Sequence, residues 1–351
     1  MIEQRKEEHI RIAEHEAVTS DHNYWDDVRL IHHALPEIDF SGLDTGINFL
    51  SKRLKSPLII SSMTGGTQLA KNINRNLASA AEKAGVAMGV GSMRAAIEKP
   101  ELADTFSVIN EFRIPLKIAN IGAPQLIDQE KKAFTDAQIE RAVTMIEADA
   151  IYIHLNFLQE MVQPEGDRNA RGILKRISEI ASSYTVIVKE TGNGLSREVA
   201  EDLKDAGVKA LDVGGLGGTS FSAIEYYRAK KAGDMEKMNS GSTFWNWGIP
   251  SPASVKYCQV GLPVIGSGGL RNGLDLARAI SMGAVAGGFA RVLLQSADNS
   301  EEEISTRISW ILRDLKIAML LTRSRNIDAL ASARKIITEP LKSWMDAYEG
   351  E

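Results

Sequence analysis

A chain of 351 residues, 44% hydrophobic and 25% charged, has the makeup of a soluble globular protein and the size of one large α/β domain or two ordinary ones. A formal net charge of −5 with no basic tract argues against nucleic acid as the main partner. The single cysteine, Cys258, can form neither an internal disulfide nor a thiolate metal site, which fits a reducing cytoplasm.

The N-terminus, MIEQRKEEHIRIAEHE, is charged throughout and lacks the apolar core of a signal peptide. Residues 1–56 read as an extension that packs on the rest of the chain. From residue 57 one theme repeats: a short apolar run rich in β-branched residues, a polar or Gly-rich loop, then an amphipathic helix. The predicted strands are 57–63, 86–90, 115–120, 148–155, 184–190, 208–213, 262–267 and 284–288. Helices end in Ala-Gly at EKAGV (82–86) and KDAGV (204–208), where Gly supplies a left-handed turn back toward the sheet.

Continuous apolar strands joined by helical crossovers pair in parallel, and eight such units close most naturally into a single (β/α)8 TIM barrel over 57–351. An open doubly wound sheet is the alternative topology. A long insertion separates the sixth and seventh strands; its aromatic residues predict partial order, with a mobile centre at 233–242. Residues 301–351 read as the last helix plus a tail. The longest weakly polar stretch, ISMGAVAGGFARVLL, is too short and too Gly-rich to span a bilayer, so no membrane partner is expected.

Side chains at the C-terminal ends of barrel strands surround one site. The segments expected there are MTGGT, GSMR, NIGAPQ, HLNFLQE, KETGNG, GGLGGTS, GSGGLRNG and GFAR, each polar or Gly-rich. Glycines that merely allow tight turns would account for one such loop. Three on adjacent strands favour a bound phosphate held by main-chain N–H groups, with the Thr219 hydroxyl nearby. Lys189 closes the fifth strand. It reads either as a cation beneath an electron-accepting ring such as that of FMN, or as the partner of Glu190 or Glu160.

Ser92 and Arg94 stand at the mouth after the second strand, where a loop charge needs a reason. For Arg5 and Lys6 the sequence by itself favours a solvated helix face. Glu160, beside Gln159, could hold only a hard ion such as Mg²⁺, or could serve as a capping or ion-pairing residue. His154, at a strand end, is as readily a structural donor as a catalyst.

The segments HLNFLQEMVQPEGD and GGTSFSAIEYYR, with RKEEH, MTGGT, GVGSMRAA, ANIGAPQL, VKETGNGLSRE, WGIPSPAS and GSGGLRNGLDLARAISMGA, resemble type 2 isopentenyl diphosphate isomerases along nearly the whole chain. The resemblance implies an FMN-dependent (β/α)8 isomerase of isoprenoid biosynthesis. It would interconvert isopentenyl and dimethylallyl diphosphate with reduced FMN and Mg²⁺, and NADPH would supply electrons. By matching position, Met63, Thr64, Gly65, Ser92, Asn120, Lys189 and Thr219 would contact the flavin. Gly268, Gly269, Leu270, Ala290 and Arg291 would cradle its phosphate. Arg5, Lys6, Ser92, Met93, Arg94 and Gln159 would meet the substrate, and Glu160 the metal. His154 and Asn156 would line the pocket, joining Gln159 and Lys189 as catalytic candidates.

The family also implies a homo-oligomer, tetrameric or octameric. Ala170, Thr191 and Asn193 depart from the family pattern and are expected on pocket walls. Two rival functions are an FMN-barrel oxidoreductase acting on a hydroxy acid or dihydropyrimidine, and a non-catalytic flavin- or phosphate-binding module. The amide-rich HLNFLQE fits the oxidoreductase poorly, because that chemistry needs a base at the flavin face.

Overall fold

The computed structural model describes residues 2–297 and 300–349. Its centre is a closed parallel barrel of eight strands, each at a position expected from the apolar runs. In chain order these are β1 (Leu58–Ile60), β2 (Ala87–Gly89), β3 (Lys117–Gly122), β4 (Ala150–Leu155), β5 (Val186–Glu190), β6 (Ala210–Asp212), β7 (Val264–Ser267) and β8 (Ala286–Phe289). Strands β1, β3 to β5 and β7 are buried along most or all of their length, because helices cover the outside and side chains fill the inside.

The helices form for local reasons as well as for packing. Helix Gln68–Ala84 starts at Thr67, whose side chain accepts from the Ala70 N–H, and stops at Gly85 with φ of 65°. Gly207, with φ of 88°, performs the same turn before β6. Register places functional side chains side by side: His154 lies opposite Gly122 and Lys189, and Lys189 lies opposite Asp212. Side chains in register on neighbouring parallel strands share a face, so these point into one volume.

The segment before β1 contributes at both ends of the barrel. Hairpin Ile47–Phe49 with Lys52–Leu54 sits at the N-terminal end of the strands, where Lys52 pairs with Asp149 at 2.6 Å. Helix Ile2–His15 lies at the opposite end, with Lys6 donating to carbonyls of the loops after β1 and β2.

Two expectations change. The centre of the insertion, expected mobile, is largely helical over Met235–Thr243, capped by the Asp234 side chain on the Lys237 N–H. The tail is also built into the molecule. Lys335–Ile337 pairs antiparallel with Val28–Leu30, and helix Leu341–Glu349 stacks Tyr348 on Tyr257 at 3.8 Å between ring centroids. Among the described residues no helix is long and apolar enough to cross a membrane.

Candidate active site

A cavity of about 800 Å³ opens at the C-terminal ends of the strands and receives residues from every loop there. Of the residues singled out in the sequence, Arg5, Lys6, Met63, Thr64, Ser92, Arg94, Asn120, His154, Asn156, Gln159, Glu160, Lys189, Thr219, Gly268, Gly269, Leu270, Ala290 and Arg291 line it. Gly65 and Met93 do not. Gly65 packs against Phe106, where any Cβ would lie 2.0 Å from the ring, and Met93 is fully buried in the hydrophobic core. Of the departures from the family pattern, Thr191 is on the wall, whereas Ala170 is exposed and Asn193 ties its loop to the insertion through the Trp247 carbonyl at 2.5 Å.

Lys6 does not lie on a solvated helix face. Its ammonium donates to the carbonyls of Gly65 at 2.7 Å and Ser92 at 2.8 Å. Burial, with Arg5 and Arg94 nearby, lowers its pKa from 10.5 to about 7. Arg5 stands 3.8 Å from Glu165, and Arg94 donates to Glu98 and Asp167, each at 3.0 Å. Beyond them, Glu225 is buried and pairs with His9 at 2.8 Å and Arg228 at 2.6 Å. Arg228 also reaches Glu8 and Glu165, so charges pin the N-terminal helix over the mouth.

Lys189 pairs with neither Glu190 nor Glu160 but with Asp212, at 3.2 Å. Asp212 is fully buried and accepts from the Ser267 hydroxyl through its other oxygen. The Glu190 carboxylate turns away and gathers the N–H groups of Thr191, Gly192, Asn193 and Gly194, fixing the loop after β5. Burial raises its pKa to about 7 against the pull of those N–H groups.

His154 Nδ1 meets Asn120 Oδ1 at 2.8 Å, while Asn120 Nδ2 donates to the Val90 carbonyl at 3.1 Å. That carbonyl fixes the amide orientation, so Nδ1 carries the proton and Nε2 is left as an acceptor. Burial, then Lys189 and Lys6, push the His154 pKa down to about 4, which leaves a neutral imidazole at neutral pH.

Glu160 is buried and accepts from Asn156 Nδ2 at 2.9 Å, the Asp167 N–H at 2.8 Å and the Gln163 amide. Burial raises its pKa, although the Asp167 N–H and the Asn156 amide oppose the shift. Asn156 Oδ1 and Gln163 Oε1, also buried, have no hydrogen-bond partner among the described residues. A carboxylate with two orphaned amide oxygens is a hard-oxygen donor set suited to Mg²⁺, which takes one carboxylate plus water and phosphate oxygens. No cluster of three or more His, Cys, Asp or Glu suited to a metal occurs among the described residues.

The remaining wall is main chain. Gly268 and Gly269, with φ of 89° and 88°, press against the loop after β6; a Cβ on them would lie 2.2 Å from the Gly215 carbonyl oxygen and 2.4 Å from that of Gly217. Buried hydroxyls of Ser61, Ser62 and Thr64 line the cavity without partners among the described residues. Orphaned donors and acceptors around a glycine cradle fit a phosphorylated, hydrogen-bonding ring such as FMN. Ala290 and Arg291 line the cavity, and the Arg291 side chain donates to the carbonyls of Ala13 at 2.7 Å and Glu16 at 3.2 Å.

Fold and site together define a (β/α)8 barrel of the FMN-dependent enzyme type. Residues 8–144 match the family described as FMN-dependent dehydrogenase. Similar solved structures include a lactate oxidase of Pediococcus acidilactici (TM-score 0.62, 16% identity, 96% of this chain and 94% of that one). They also include a mandelate oxidase (TM-score 0.61, 18% identity, 90% and 87%). At such identity these show the fold alone. Two proteins named isopentenyl-diphosphate delta-isomerase are far nearer in sequence. That of Picrophilus torridus is 61% identical over 99% of this chain and 100% of its own. That of Thermoplasma volcanium is 60% identical over the same shares. The chain belongs to the isopentenyl-diphosphate delta-isomerase family, in its FMN-dependent type 2 form.

Proposed function

We propose that this protein interconverts isopentenyl and dimethylallyl diphosphate by protonation and deprotonation, with reduced FMN, Mg²⁺ and electrons from NADPH. The observation that carries the reading is near full-length identity of 61% to a protein named for that reaction. The oxidases that share the barrel share 16–18% of the sequence.

The chain's own groups divide the work. Main-chain N–H groups of Gly268 to Leu270 and the Thr219 hydroxyl would hold the FMN phosphate. Lys189, anchored by Asp212, would place positive charge beneath the ring. Reduced FMN, when bound, would supply an electron-rich face able to stabilise cationic charge on a neighbouring carbon. Glu160, with Asn156 and Gln163, would hold Mg²⁺ against the diphosphate, which Lys6, Arg5 and Arg94 would also meet.

Asn156 also donates to Gln159 Oε1 at 3.2 Å, which sets the rotamer of Gln159. Gln159 would orient substrate, since an amide has no useful pKa. His154, neutral with Nε2 as acceptor, would shape the pocket rather than act as an acid. Binding energy gained at the diphosphate, remote from the reacting carbons, would thus serve to position those carbons.

Two further readings are a cytoplasmic location, which the single cysteine fits, and a homo-oligomer of four or eight chains, which rests on the family resemblance. Exposed Trp247, Trp310 and Trp344 offer apolar surface that an assembly would cover.

The test is anaerobic proton NMR of isopentenyl diphosphate with protein, Mg²⁺ and chemically reduced FMN. The expected result is growth of dimethylallyl methyl signals. Turnover of lactate or mandelate, with the isopentenyl signals unchanged, would select the oxidase reading instead.

A further inference from the structure

We infer that Asn23 and Trp25, which lie before the barrel, are positioning residues for the cofactor phosphate. They capture the carbonyls of Gly268 and Gly269, and so aim the next N–H groups in the chain. The inference rests on the reading of this cavity as an FMN site.

Residues 18–27 run as a strap across the loops after β6 and β7. Ser20 N–H donates to the Gly218 carbonyl at 2.9 Å, and Ser220 N–H donates to that of Val18 at 2.8 Å. Further along, Trp25 Nε1 donates to the Gly268 carbonyl at 2.8 Å, beside the Ser251 hydroxyl at 2.7 Å. Asn23 Nδ2 donates to the Gly269 carbonyl at 2.8 Å. Neither contact is adventitious. Trp25 is fully buried, and Asn23 Oδ1 is already committed to the Trp25 N–H at 3.1 Å, which turns its amide nitrogen toward Gly269. Asp26 then grips Arg271 through two bonds of 2.9 and 2.6 Å, closing the strap against the loop.

A trans peptide directs its N–H opposite to its C=O. Fixing the Gly268 carbonyl therefore fixes the Gly269 N–H, and fixing the Gly269 carbonyl fixes the Leu270 N–H. No backbone carbonyl among the described residues accepts from either N–H, and both residues line the cavity. Glycines at positive φ could rotate these peptides, because they lack the Cβ that restrains other residues. Asn23 and Trp25 supply the restraint that glycine cannot, and a preset donor pair binds an anion without ordering cost at the moment of binding.

A strap that merely anchors the extension predicts a different result from one that sets these donors, and two flavins separate them. Apoprotein of the wild type, Asn23→Ser and Trp25→Phe is titrated with FMN and with riboflavin, which lacks the phosphate, and flavin fluorescence is followed. Serine keeps a capping oxygen for the Trp25 N–H but loses the amide donor; phenylalanine keeps the ring but loses Nε1–H. The expected result is an FMN dissociation constant raised about tenfold in each variant, with riboflavin changed by less than about twofold. Equal weakening of both flavins, or no change in either, overturns the assignment. Should Trp25→Phe fail to fold, Asn23→Ser decides by the same ratio. A wild type that binds neither flavin overturns the cofactor reading together with this inference, a result distinct from the other two.

Discussion

The wall of the cavity formed by the loops after β6, β7 and β8 works through main chain, whereas the wall formed by the N-terminal helix and the loops after β2, β4 and β5 works through side chains. On the first, the nearby guanidinium groups are spent on structure: Arg271 on Asp26 and Asp275, Arg291 on the carbonyls of Ala13 and Glu16. On the second, Lys6, Arg94, His154, Glu160 and Lys189 face the cavity; burial shifts the pKa of Lys6, His154 and Glu160, and Asp212 pairs with Lys189. The difference separates two kinds of vulnerability. A main-chain wall fails when a Cβ is added, and a side-chain wall fails when a charge is moved.

The largest expected effect tests the main-chain wall. In Gly218→Ala the new methyl would lie 2.4 Å from the Gly269 nitrogen, so the two loops must separate. FMN binding should weaken by about 100-fold, close to 2.7 kcal/mol. Titration of apoprotein measures it, and an unchanged affinity would show that these loops do not close on the cofactor.

The Lys189–Asp212 pair tests the side-chain wall at its deepest point. Asp212→Asn removes the carboxylate that offsets Lys189. Anions near the ring should then be favoured, and sulfite should bind the oxidised flavin about tenfold more tightly. Weaker or unchanged sulfite binding would place Lys189 elsewhere than beneath the ring.

The third test is a pH dependence at Lys6. Its pKa in the free protein is about 7, and a bound diphosphate favours the charged ammonium, so the bound pKa is higher. Between the two values binding takes up a proton. The dissociation constant of inorganic pyrophosphate should therefore rise as pH increases above about 7, approaching tenfold per pH unit, and this component should vanish below it. In Lys6→Met that component should be absent across the range; a wild type indistinguishable from the variant would remove Lys6 from the anion site.

The main-chain wall is largely legible in the sequence, because glycines after a strand have few uses and three such loops on neighbouring strands have fewer. The barrel is legible for a similar reason: eight apolar runs of strand length alternate with amphipathic helices. Pairings across the chain are not. Lys189 finds Asp212 through strand register, and a local reading offers only Glu190 and Glu160 as partners. The same limit hides Asn23, Trp25, His9, Glu225 and Arg228, whose partners lie more than 200 residues away along the chain or belong to a helix whose docking no local pattern specifies. Lys6 reads as solvated because a charge in a charged helix carries no mark of burial until the helix is placed over the mouth. The segment GGTSFSAIEYYR stands out in the sequence, yet its Glu225 and Arg228 have the spacing of an ordinary helical pair.

The central claim, isomerisation without net redox, is tested most directly by the number of electrons used per turnover. Protein reduced anaerobically with a known amount of dithionite, then given excess isopentenyl diphosphate and Mg²⁺, should form many equivalents of dimethylallyl diphosphate per flavin while the flavin absorbance stays that of the reduced state. Two electrons consumed for each product molecule, or conversion that stops after one equivalent, would contradict it.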